Sequence, residues 1–151
     1  MEELRITPIK NGTVIDHIRP GMALKVMDIL NINGEANSEV SIAMYAKSAK
    51  LGMKDIIKVE GLELKPEEVN RLAIMTPKAT ISIIRDYKVV KKFQVRLPKE
   101  VKGIVRCENL NCITNQREPV SPVMTLMSEE PPRYRCFFCG RHQENVADNL
   151  M

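Results

Sequence analysis

"GMKDIIKVEGLELKPEEVNRLAIM", residues 52–75, holds the two hydrophobic periods that set the fold of this chain. In "KDIIKVEG" Ile57 and Val59 fall on one side and Lys54, Ile56 and Lys58 on the other, the alternation of a strand covered on one face. Pro66 then suits the first turn of a helix, and Glu67 and Glu68 complement its positive end. Val69, Leu72 and Ala73 make the apolar stripe of that helix, and Thr76-Pro77 stops it. The sequence therefore reads strand, then amphipathic helix.

The same two periods recur on either side. Upstream, "VSIAMYAK" alternates with Val40, Ile42, Met44 and Ala46 on one side, and a turn near Gly52 joins it to the next strand. Before it, "INGEANSE" is a loop by composition. Pro20 suits a helix start, with Met22, Ala23, Val26, Met27 and Leu30 on one face through about Asn31. "RITPIK" and "GTVIDHI" are two extended pieces around an Asn11-Gly12 turn. Downstream, "ATISIIR" is a strand, "DYK" a turn and "VVKKFQVRL" a final strand. Strand, helix, strand, strand, helix, strand, with one strand added, is the split βαβ or ferredoxin-like plan, an α+β fold with two helices on one face of an antiparallel sheet.

Pro98 and the polar "KEVKG" break this pattern, so residues 1–98 are expected as one domain, 99–103 as a linker and 104–151 as a second domain. The 151 residues hold one domain or two small ones, 44% hydrophobic and 28% charged, which is globular. The net charge of +4 is mild. No stretch approaches a membrane span, and "MEELRITPIK" lacks the apolar core of a signal peptide, so a cytoplasmic protein is expected.

All four cysteines lie in the second domain: "RCENLNC" holds Cys107 and Cys112, and "YRCFFC" holds Cys136 and Cys139. A unit this small rarely folds unaided and needs a staple or a metal. C-x4-C and C-x2-C, separated by an insert sized for a hairpin of "VMTLM" and "YRCFF", match two knuckles of a tetrahedral zinc site. The product is a zinc-ribbon-like β domain with a closed, structural four-sulfur site. Disulfides, a redox C-x-x-C, an iron–sulfur centre and substitution of one sulfur by His142 are the rivals. The reducing compartment and the ribbon-like setting favour zinc over them.

"GTVIDHI" (residues 12–18), "GMKDIIKVE" (52–60), "YKVVKK" (87–92) and the "CENLNC…CFFC" pattern occur in this order and spacing, and together they resemble the regulatory chain of aspartate carbamoyltransferase. The resemblance spans about residues 4–147. It implies a non-catalytic allosteric subunit of pyrimidine biosynthesis. Its first domain would bind CTP as inhibitor and ATP as activator, and its zinc domain would dock onto catalytic chains. Dimers of regulatory chains would tie the catalytic chains together.

By the same resemblance, Ile9, Val14, Asp16, His17, Lys54, Lys58, Ile84, Tyr87, Val89 and Lys92 line the nucleotide site. Asn109 and Asn111 meet the catalytic chain. In a straight strand Asp16 and His17 face opposite ways, as do Val89 and Lys92, so a bulge or main-chain contacts must reconcile them. Pro8 offers no amide donor to a base.

The alternative from another class is a nucleic-acid-binding zinc-ribbon protein using Lys88, Lys91, Lys92, Arg96, Lys99 and Lys102 as a phosphate stripe. Scarce aromatics (three Phe, three Tyr, no Trp) argue against single-strand stacking surfaces. No nucleophile–base pair, open metal site or "GxxxxGK[ST]" loop indicates an enzyme.

Overall fold

The structure, a computed structural model, describes residues 9–32, 38–49, 51–117 and 120–151. Most of "RITPIK", including Pro8, and the centre of the 32–39 loop lie outside the described residues. The chain divides into two compact units at Arg96 and Leu97.

The first unit holds β1 (Gly12–Ile18), α1 (Ala23–Ile29), β2 (Val40–Ser48), β3 (Gly52–Glu60), α2 (Pro66–Met75), β4 (Thr80–Arg85) and β5 (Lys88–Gln94). The sheet is five-stranded in the order β2-β3-β1-β4-β5, with every neighbouring pair antiparallel. This is the ferredoxin-like arrangement, with β5 added beside β4. Ile57, Ile15 and Ile81 lie abreast across the three central strands. They are fully buried, as are Ala23 and Val26 of α1 and Leu72 and Ala73 of α2, so both helices cover this face of the sheet.

Helix α2 begins where Pro66 predicts, and the Glu68 carboxylate reaches back to accept the Lys65 N–H at 3.0 Å. Helix α1 starts later than Pro20 suggests. Gly21 has φ of 87°, and the Asp55 carboxylate takes the N–H groups of Gly21 and Ala23, so the first helical residue is Ala23.

Strand β2 departs from simple alternation. Its pairing with β3 slips between Ala43 and Ala46, where Tyr45 has φ of 56°, and Ile42 and Met44 are exposed instead of forming part of a covered stripe. The Tyr45 N–H goes to Asp55 at 2.9 Å, so a buried carboxylate and not the apolar pattern sets the strand here.

The second unit carries β6 (Glu100–Lys102), β7 (Val123–Glu129), β8 (Pro132–Cys136) and β9 (His142–Gln143) in one antiparallel sheet of that order. β7 and β8 form the expected hairpin, but its second arm, expected as "YRCFF", ends at Cys136. Phe137 and Phe138 lie beyond the end of β8, inside the knuckle. The stretch expected as a linker, 99–103, contains β6, paired with β7 through Val101 and Met124. Val101 is buried, and the Tyr134 hydroxyl donates to the Pro98 carbonyl at 2.6 Å, so chain packing begins before residue 104. The core is Val101, Ile104, Val105, Met124, Tyr134 and Val146.

Candidate functional sites

In the second unit the two knuckles converge. The Sγ atoms of Cys107, Cys112, Cys136 and Cys139 all lie within 4.8 Å of one another. Cys107 and Cys139 are 3.6 Å apart, and Cys112 and Cys136 3.7 Å apart. Four sulfurs at about 2.3 Å from a tetrahedral zinc would be about 3.8 Å apart, so the observed separations fit such an ion.

The knuckles are built by backbone turns: Cys112 N–H bonds to Asn109 O and Gly140 N–H to Cys136 O, both at 3.0 Å. Gly140 has φ of 77°, a turn conformation that glycine adopts at little cost. Burial pushes the Cys107 thiol up to about 12. At Cys139 burial, the largest single influence, acts in the same direction, but the Arg141 N–H, the Asn109 side chain and the neighbouring sulfurs together outweigh it and bring the thiol down to about 7. His142 pairs with Arg135 across β8 and β9 and is not among the four clustered ligands.

Asn109 and Asn111 stand on the first knuckle. Asn109 Oδ1 accepts the Asn111 N–H at 3.0 Å, so Asn109 closes a local turn as well as reaching Cys139. Asn111 is exposed.

In the first unit, the sheet face away from the helices gathers most of the predicted nucleotide residues. Directly paired residues share a face, so one row runs Ser41, Lys58, Val14, Ser82, Lys92. A flanking row contains Ile84 and Val89, and on the other side lies Asp16 beside Thr80. Lys54 Nζ reaches the two Asp16 oxygens at 3.0 and 3.2 Å. Burial lowers Lys58 from its ordinary value, and the charge of Asp16 opposes this.

Two bulges resolve the facing conflicts. In β1 the register slips between Ile15 and Ile18, and His17 takes φ of 56°. Its Nδ1 then lies 3.0 Å from Thr80 Oγ1, so His17 and Asp16 serve the same face. In β5, Ile84 pairs with Val89 while Ile83 pairs with Lys91, which leaves Val90 as the extra residue. Val89 and Lys92 consequently share the open face.

Tyr87 sits in the β4–β5 turn, where Asp86 and Tyr87 have φ of 51° and 65°. The Tyr87 N–H bonds to Lys10 O at 3.0 Å and the Asp86 N–H to Asn11 Oδ1 at 3.2 Å. These bonds bring the hairpin tip to the chain next to buried Ile9.

Ser82, which the sequence did not single out, lies between Val14 and Lys92 in the central row. It is a serine on the open face, between the apolar Ile81 and Ile83.

Residues 4–96 match the family model described as aspartate carbamoyltransferase regulatory chain, allosteric domain. Residues 99–147 match that described as the metal binding domain of the same chain. The chain belongs to the aspartate carbamoyltransferase regulatory chain family. The regulatory chain of Methanothrix thermoacetophila is 48% identical over 150 residues, covering 99% of this chain and 97% of its own length. That of Methanothermobacter thermautotrophicus is 52% identical over 139 residues, covering 92% and 88%. That of Pyrococcus abyssi is 50% identical over 153 residues, covering 99% and 100%.

This regulatory chain is thus a non-catalytic subunit with an allosteric and a metal-binding domain, and catalytic chains are its partners. A nucleic-acid role is not favoured. The lysines of β5 do not form one stripe, since Lys91 pairs with Ile83 on one face and Lys92 with Ser82 on the other. No helix among the described residues is long and apolar enough to cross a membrane.

Proposed function

We propose that the open face of the five-stranded sheet binds a nucleoside triphosphate, CTP as inhibitor and ATP as competing activator, and that zinc is the metal of the four cysteines. The observation that carries the nucleotide reading is the row Lys58, Val14, Ser82, Lys92, which the two bulges complete with Asp16, His17 and Val89. Lys58 and Lys92 supply cations for the phosphates, with Lys54 beside them. His17 adds a phosphate contact, and Asp16 accepts from a ribose hydroxyl. Val14, Ile84 and Val89 offer apolar surface to base and sugar. Main-chain groups around Ile9 and Tyr87 read base edges.

The metal unit, with Asn109 and Asn111 on its knuckle, docks the catalytic chain in the cytoplasm. A second regulatory chain pairs with the first. The exposed Ile42, Met44 and Tyr45 of edge strand β2 are apolar surface suited to that pairing. Regulation follows from linkage: a nucleotide biases the catalytic assembly only as far as it binds the two states unequally, and the effect is reciprocal.

Titration calorimetry of the metal-loaded chain with CTP, followed by ATP competition, tests the site. Saturable binding of both at one site, weakened at least about 10-fold in His17→Ala and Lys92→Ala, is expected. Binding that survives both substitutions unchanged would overturn the assignment.

A further inference from the structure

The polar groups behind the sulfur cluster bear on how this chain holds its metal. Four thiolates around one divalent ion leave a net charge of −2. Cys107, Cys112 and Cys136 are only 1–2% exposed, so water has little access to offset that charge.

Two side chains that are not ligands reach two of these sulfurs. Gln143, 0% exposed, places Nε2 at 3.5 Å from Cys107 Sγ and donates to Arg141 O at 2.9 Å. Its Oε1 accepts the Glu108 N–H at 2.7 Å. Because the oxygen is committed to a backbone donor, the amide nitrogen must face the sulfur and the carbonyl. Thr114 is buried in the 3-10 turn that follows the first knuckle, and its Oγ1 lies 3.2 Å from Cys112 Sγ. Backbone N–H groups also reach two of the sulfurs, that of Asn109 at Cys107 and those of Phe138 and Cys139 at Cys136.

We propose that Gln143 and Thr114 are positioning residues of the metal site, donating N–H and O–H to the Cys107 and Cys112 sulfurs so that the first knuckle retains its metal more tightly than the four ligands alone would. The donors fix where each sulfur points and disperse the charge that burial leaves unscreened. Gln143 also ties Cys107 to strand β9, so the sulfur is anchored from a part of the chain distant in sequence. The inference rests on the metal-binding reading of the cysteines and adds two residues to it.

The test uses the full chain loaded with zinc and, separately, with cobalt(II). Thr114→Val removes only the hydroxyl at constant shape, Thr114→Ser restores it, and Gln143→Met removes the amide at similar length. Thr114→Val and Gln143→Met should each release zinc to a competing chromogenic chelator about 10-fold faster or more. Their sulfur-to-cobalt charge-transfer bands should move to lower energy as the sulfur lone pairs lose a donor. Thr114→Ser should match the parent in both readings, which a loss of packing alone would not produce.

Gln143→Met also strips partners from Glu108 and Arg141. Should it fail to fold, the Thr114 pair decides: Thr114→Val equal to Thr114→Ser in release and band position overturns the proposal. Stoichiometric metal uptake by the parent separates the two levels, because its failure would remove the metal-binding reading itself.

Discussion

Asp55 is 0% exposed and its carboxylate is the junction of three elements. Oδ2 accepts the N–H groups of Gly21 and Ala23 at 2.9 and 3.0 Å, and Oδ1 accepts that of Tyr45 at 2.9 Å. It thereby starts α1, holds the β2 bulge and, opposite Ile18, abuts the irregular end of β1. Asp55→Asn keeps the shape but only one acceptor oxygen. If that oxygen stays with Gly21 and Ala23, two charge-assisted bonds become neutral, each losing about 1 kcal/mol, and the Tyr45 N–H faces an NH2 group, costing about 1–3 kcal/mol. Relief from burying a charge offsets part of this, leaving a net loss of about 2–4 kcal/mol. For a unit of this size that lowers the melting temperature by roughly 10–25 °C. Both α-helices of the described residues lie in the first unit, so ellipticity at 222 nm follows it. Asp55→Ala, which orphans all three donors, should be at least as damaging. A shift below about 3 °C in both variants would refute the assignment of Asp55 as the organising contact.

Three further outcomes are expected. Chelation should unfold the second unit and release catalytic chains while the helical signal persists; sedimentation of an intact complex after metal removal would contradict this. Gly12→Ala should destabilise the first unit by about 2–4 kcal/mol in urea unfolding, since its φ is 153° and an added Cβ would lie 2.3 Å from Val59 O. Because burial lowers Lys58, the folded chain holds that proton less tightly than the unfolded chain. Lys58 therefore makes stability rise with pH from its lowered folded value up to its ordinary value of 10.5. Lys58→Met should flatten this slope, measured by urea unfolding across the alkaline range, while weakening triphosphate binding about 10-fold or more.

The central strands were readable because their alternation is regular: Ile15, Ile57 and Ile81 reach the core as their period requires. Helix α2 was readable from Pro66 and its acidic first turn. The exceptions share a cause. The late start of α1 and the bulge of β2 both answer to Asp55, whose partners lie 10 to 34 residues away, and no local pattern announces such a contact. The metal ligands were legible from spacing alone. Their hydrogen-bond partners were not, since Gln143 belongs to a two-residue strand and reaches Cys107 only through the sheet. On the open face, sequence parity indicated a conflict at Asp16/His17 and Val89/Lys92, and the bulges that resolve it are backbone events that composition does not encode.

The extra residue of β5 also bears on which sequences this fold tolerates. A solvent-exposed border strand ordinarily accepts a gained or lost residue with little penalty. Here, removing Val90, or adding a residue between Val89 and Lys92, would exchange inside for outside at one end of the strand and carry a cation away from the open face. The length of this stretch is therefore more constrained than its composition: Val90 is free to become many other residues, but it is not free to disappear.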